Sequence, residues 1–227
     1  MINRKSTYKT QIFNHLVAVL TVILLPFLSF SQESDLGNWL IYIGNKKVNQ
    51  TWNIHHEVQY RNYNALGDLE QLLLRTGIGH NVSDNTNLLL GYGFIHSQNY
   101  VDGSDEKINI NEHRLFQQIV TKSNVGIISL QHRYRFEQRF VSNDLKLRFR
   151  YFLGINVPLA SSENKFYLSA YNEIFLNSVS SVFDRNRVYF GIGHKMSQTL
   201  KIEIGYMNQF LNSRSRDQIN LIVFNTF

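Results

Sequence analysis

Polar and apolar residues take turns along most of this chain. WNIHHEVQYRN (52–62) sets Trp52, Ile54, Val58 and Tyr60 against Asn53, Glu57, Gln59 and Arg61. LQHRYRFEQRF (130–140) sets Leu130, His132, Tyr134, Phe136 and Phe140 against Gln131, Arg133, Arg135, Glu137 and Arg139. LKLRFRYFLGINV (145–157) sets a leucine, phenylalanine and tyrosine face against Lys146, Arg148, Arg150, Gly154 and Asn156. A period of two belongs to a β-strand whose faces meet different surroundings. The same alternation recurs in residues 71–82, 86–98, 110–120, 165–177, 185–196, 199–210 and 217–227, and WLIYIGN (39–45) is a shorter candidate.

Most of these segments run about ten to thirteen residues, whereas globular strands average about five or six. A tilted strand crossing a bilayer needs about 9–11. The two prolines, Pro26 and Pro158, both avoid strand interiors, as paired strands require. NKKVNQ, SDNT, KSNV, PLASSE and SQ connect the strands on one side, and generally longer loops connect them on the other. That alternation describes an up-and-down antiparallel barrel. Eleven candidate segments sit awkwardly with the even strand numbers of single-chain bacterial barrels. The expected range is ten to twelve strands. Ten is preferred, with residues 39–45 as a cap or lumen segment; twelve requires one unrecognised strand.

Alternation does not by itself say which face turns inward. Ten long strands with wide apolar faces would overfill a soluble barrel, so the apolar face is expected outside. Aromatics gather near segment ends at Trp52, Tyr63, Tyr100, Phe140, Phe166 and Phe210, and Phe227 closes the apolar parity of the last segment. The first feature fits the aromatic girdles of outer-membrane barrels, and the second resembles the terminal aromatic of outer-membrane proteins. Within hydrocarbon every backbone polar group must be paired, and only helices or closed barrels achieve that.

Parity then assigns a charged lumen. The early strands contribute Glu57, Arg61, Arg75, Glu112 and Arg114. The central pair contributes Arg133, Arg135, Glu137, Arg139, Arg148 and Arg150. The last strands contribute Glu173, Arg187, Lys201 and Glu203. A narrow barrel is about wide enough to be filled by its own side chains, and arginine forks pair with carboxylates bidentately. A structural filling, or a narrow anion-leaning pore, is the expected role of this set.

Composition places the chain in the cell envelope. Arg4, Lys5 and Lys9 precede the apolar run 16–30, and Ser29 and Ser31 mark a cleavage site before Gln32. Residues 1–31 are therefore expected to be a cleaved signal peptide and 32–227 the barrel. Beyond the leader, 20 basic side chains against 17 acidic ones leave a net charge of +3, far from a nucleic-acid footprint. The chain has no cysteine, so no disulfide supports it and packing with hydrogen bonding must.

Candidate chemistry is sparse. His96 and Ser97 are the one nameable serine-histidine pair for a barrel-embedded lipid hydrolase, but adjacent strand residues point to opposite faces. His55 and His56 diverge for the same reason. DGSDE (102–106) lacks the spaced ligand pattern of a calcium loop. No metal or cofactor is expected. Strand glycines such as Gly91 and Gly193 are read as tight bends or as room for large lumen neighbours.

The runs NEHRLFQQ (111–118), RYRFEQRF (133–140), LRFRY (147–151), YNEIFLN (171–177), RNRVYFGIG (185–193) and IGYMNQF (204–210) resemble an uncharacterised bacterial outer-membrane barrel family, catalogued as domain of unknown function 2490. The resemblance spans nearly all of the chain after the leader. It implies a Gram-negative outer-membrane location and a barrel, and no chemistry. The expected partners are outer-membrane lipids and the barrel-assembly machinery, the latter through the C-terminal strand ending at Phe227.

Overall fold

The computed structural model describes residues 36–227, apart from 65, 66, 160–164 and 180. The expected leader, residues 1–31, lies outside the described residues. Eleven strands follow one another: β1 Gly37–Lys47, β2 Trp52–Asn62, β3 Leu69–Ser83, β4 Thr86–Tyr100, β5 Lys107–Val125 and β6 Ile128–Val141. The second half supplies β7 Asp144–Pro158, β8 Phe166–Asn177, β9 Phe183–Lys195, β10 Leu200–Phe210 and β11 Ser215–Thr226. They form one closed barrel. Closure removes every free edge, so each strand satisfies its backbone groups on both sides.

The count lies inside the expected range but at an odd number, and this corrects the preference for ten. Residues 39–45 are neither cap nor lumen segment. They are the middle of a full strand that pairs antiparallel with β2 and parallel with β11, Leu40 opposite Leu221 and Ile43 opposite Phe224. All ten of the remaining neighbouring pairs, β1–β2 included, are antiparallel. The even-number rule assumes that the first and last strands meet antiparallel. A parallel seam removes that constraint and sends the start of β1 and the end of β11 to opposite rims. Phe227 completes the seam, its backbone N–H donating to Asn45 O at 3.1 Å and its carbonyl accepting from Lys47 N at 2.7 Å.

The first rim carries the β1–β2, β3–β4, β5–β6, β7–β8 and β9–β10 connections together with Phe227; the second carries the other five and the start of β1. The expected contrast between short and long connections is slight. The longest joins β7 at Pro158 to β8 at Phe166, two strand ends on the first rim, whereas β6–β7 on the second rim needs only Ser142 and Asn143. Both have positive φ, 50° and 70°, the geometry of a tight hairpin that matches strand twist. The strands themselves absorb the difference: β5 extends through Val125 and turns at Gly126, so KSNV is strand rather than turn.

Polarity is inverted relative to a soluble barrel. Outward residues Leu90, Ile78, Phe149 and Ile204 are 58–61% exposed, while Glu137 and Arg135 inside are 0% and 2% exposed. Aromatics ring both rims. Trp52 meets His80 at a tilt, 4.5 Å apart, and Phe166 stacks on His194 at 4.3 Å at the first rim, and Tyr63 meets Tyr100 at 5.0 Å at the second.

Candidate functional site in the barrel lumen

Strand parity brings Glu57, Arg61, Arg75, Glu112, Arg114, Arg133, Arg135, Glu137, Arg139, Arg148, Arg150, Glu173, Arg187 and Glu203 into one interior. Lys201 shares their parity but stands exposed at the first rim. Register then creates a conflict. Arg114 faces Arg139 directly across β5 and β6, and Arg135 faces Arg150 across β6 and β7. Like charges directly opposite are destabilising, so the guanidinium groups reach diagonally to carboxylates.

Glu137 is the centre of the network. Arg150 Nη1 donates to it at 2.6 Å, while Arg135 Nη1 and Arg114 Nη1 stand at 3.7 and 3.8 Å. Glu173 accepts from Arg150 and from Arg133, both at 2.7 Å. Glu112 receives Arg139 bidentately at 2.6 and 2.9 Å and also pairs with Arg114. Glu57 accepts from Arg75 at 2.9 Å. Arg148 reaches Asp184 at 3.2 Å.

Carboxylates do not satisfy all of the arginines. Gln118 accepts from Arg135 Nε at 2.8 Å, Gln59 from Arg61 Nε at 2.9 Å and Gln209 from Arg187 Nε at 2.8 Å. Aromatic faces take further guanidinium groups. Phe175 carries Arg150 at 4.4 Å and Arg187 at 4.6 Å; Phe116 carries Arg135 at 4.6 Å; Trp39 lies between Arg61 at 3.8 Å and Arg187 at 4.7 Å. Desolvated contacts of this kind stabilise by about 2 kcal/mol each. The sequence reading passed over Trp39, Phe116 and Phe175. For Phe116 and Phe175 the signal was an aromatic on the charged parity of the strand; β1 has an apolar inward face and gave no such signal for Trp39.

Lumen glycines make room for these rings. A Cβ on Gly91 would lie 2.3 Å from the Phe116 ring, and one on Gly193 would lie 2.1 Å from Tyr167. Phe116 is wholly buried and has nowhere to go. Gly91→Val is expected to lower stability by about 1–3 kcal/mol through overpacking, read as a fall in the urea midpoint of the refolded barrel.

The two halves of the lumen differ. Toward the second rim Phe116, Phe175, Glu137, Met207 and Gln218 are all at most 2% exposed and fill the interior. Toward the first rim a cavity of about 960 Å³ remains. Turn residues Gln50, Thr51, Asp84 and Asn85 stand at its mouth, and Arg75, Arg135, Arg150 and Glu173 form its floor. The cavity thus opens among the first-rim turns, reaches back along β1 and β2 to Trp39 and Arg61, and is backed elsewhere by ion pairs and aromatic rings.

The candidate hydrolytic pair separates. His96 Nδ1 lies 2.8 Å from Asn111 Oδ1 on the outer face, whereas Ser97 Oγ accepts from Gln71 at 2.7 Å on the lumen side. His132 points outward and meets the Tyr151 hydroxyl at 2.9 Å.

The family described as "Protein of unknown function (DUF2490)" matches residues 36–220. An uncharacterized protein of Methylorubrum extorquens is 32% identical over 162 residues, which cover 67% of this chain and 69% of that protein. The match begins one residue before β1 and ends within β11 at residue 220, so it takes in every charged lumen residue named above but only the first three pairs of the parallel seam. The chain belongs to the DUF2490 family of proteins of unknown function.

Proposed function

We propose that this protein is a bacterial outer-membrane barrel whose lumen is a cationic vestibule, open at the first rim and sealed toward the second. Export by the 1–31 leader, insertion by the barrel-assembly machinery acting on the strand that ends at Phe227, and an outer wall facing lipid belong to the same reading. The observation that carries it is the inverted polarity: exposed Leu90, Ile78, Phe149 and Ile204 outside, fully buried arginine and glutamate inside. A contiguous apolar exterior of this extent is a liability in water and suits acyl chains.

Dimensions support the placement. Trp52 and Tyr63 are eleven residues apart on and just beyond β2, about 36 Å along a strand. At a tilt of roughly 40° this projects to about 27 Å, close to the ~25 Å apolar band of outer-membrane barrels.

The seal makes this a closed vestibule rather than an open porin. In planar bilayers the purified protein is expected to carry no steady current, because Glu137, Phe116 and Phe175 are at most 2% exposed and pack the interior. Replacing Phe116 and Phe175 together with alanine is expected to open an anion-preferring conductance. A large steady current through the unmodified barrel would remove the seal from this reading. Recovery of the mature chain in the aqueous phase without detergent would remove the membrane.

A further inference from the structure

The vestibule holds recognition chemistry that the ion-pair network leaves unused. Arg135 Nη1, Arg133 Nε and Arg75 Nε make no hydrogen bond among the described residues, and all three side chains line the cavity. Arg135 is only 2% exposed, and its Nη1 is 3.7 Å from Glu137, beyond hydrogen-bond length. Its other two nitrogens both donate to Gln118. A buried guanidinium N–H without an acceptor is costly, and arginine cannot shed its charge.

Charge balance points the same way. Nine lysines and arginines line the vestibule against four aspartates and glutamates. Cation–π contacts ease this excess but do not neutralise it. Three of the nine, Lys47, Lys122 and Lys201, stand exposed around the mouth, where they draw anions toward the arginine floor.

The facing wall is of the opposite kind. In the closed strand order the β1–β11 seam lies across the barrel from β6 and β7, which carry Arg133, Arg135 and Arg150. Along the seam Ile41 pairs with Ile222 and Ile43 with Phe224, and all four line the cavity. An inorganic anion would leave this wall against water.

We propose that the vestibule binds an amphipathic organic anion, a carboxylate with an apolar chain of the medium-chain fatty-acid class. Its head is held by Arg133 and Arg135 on β6 and its tail lies along Ile41, Ile43, Ile222 and Phe224. A carboxylate presents two acceptors to the guanidinium donors, the pairing that gives arginine its strongest hydrogen bonds. The cavity is large enough for head and chain together. This proposal rests on the vestibule described above and is independent of its placement in a membrane.

Trp39 and Trp52 are the two tryptophans of the chain, and Trp39 lines the vestibule. A Trp52→Phe background therefore leaves one reporter inside. Octanoate titrated into the full chain in zwitterionic detergent is expected to change Trp39 emission saturably, at one site per barrel by calorimetry. It should bind more tightly than acetate, phosphate or octan-1-ol. Arg135→Gln is expected to weaken octanoate about tenfold, as loss of one charged hydrogen-bonding partner does. Arg133→Gln, at a partly exposed arginine, serves if Arg135→Gln does not fold. Phe224→Gln should weaken octanoate while leaving acetate unchanged.

Octan-1-ol binding as well as octanoate would reduce the effect to apolar partition and overturn the proposal. Phosphate or acetate matching octanoate would make the site one for inorganic or small anions and overturn it equally. Octanoate binding unmoved by Arg133→Gln and Phe224→Gln would place it outside the vestibule. A barrel that proves water-soluble yet binds octanoate in the expected order leaves this inference standing and removes only the membrane.

Discussion

Glu137→Ala is expected to destabilise the barrel by about 3–5 kcal/mol, the cost of breaking a buried charge pair from one side. Glu137 is wholly buried, and three guanidinium groups depend on it: Arg150 at 2.6 Å, Arg135 at 3.7 Å and Arg114 at 3.8 Å. Removing the carboxylate leaves Arg135 with no carboxylate beside it among the described residues and leaves Arg150 and Arg114 to Glu173 and Glu112, with three buried cations close together. The measurement is the unfolding free energy from urea titration of protein refolded into detergent or liposomes. Coupling makes the expectation sharper. Arg150→Met alone also strands charge, since Arg150 bridges Glu137 and Glu173. The double variant removes cation and anion together, so its loss should fall short of the two single losses added. Additive losses, or a Glu137→Ala barrel within about 0.5 kcal/mol of the parent as ordinary surface changes are, would show that the ion pairs do not hold the seal.

The second large effect concerns the outer wall. Ile204 sits at the middle of β10, 58% exposed, with Ile192 and Leu221 beside it on the neighbouring strands. Ile204→Arg is expected to cost about 2–4 kcal/mol in liposomes, the range for arginine on a lipid-facing strand near the bilayer midplane. Phe140→Arg, near the second rim, should cost about 0–1 kcal/mol, because the penalty fades at the interface. Depth dependence is the discriminating feature. In water both positions are exposed surface, and both substitutions would be nearly neutral. Equal, small effects at the two sites would contradict the lipid-facing wall.

Much of the lumen was legible because alternation is a local property. Successive side chains on a strand point to opposite faces, so Arg133, Arg135, Glu137 and Arg139 must share a face whatever the strand pairs with. Parity could not say which cation meets which carboxylate. That Arg139 pairs with Glu112, and that Arg150 spans Glu137 and Glu173, follows from register between segments far apart in sequence. Parity could not locate depth either, which is why Lys201 belongs to the mouth and not to the network. The inward aromatics were hidden by the same pattern that revealed the arginines. An alternating segment reads aromatics as outward, and Phe116 and Phe175 become intelligible only beside the guanidinium groups they carry.

The hydrophobic pattern of this chain determines that it forms long two-faced strands, and it determines which side chains share each face. Both follow from the backbone geometry of single segments. Tertiary structure alone decided that β1 is a full strand, since Trp39, Ile41 and Ile43 make its inward face as apolar as its outward one. It also decided the parallel seam with β11, the odd count, and the division of the lumen into a sealed half and an open one. These depend on how the ends of a closed sheet meet and on which large side chains face one another across it, and no stretch of local sequence contains either.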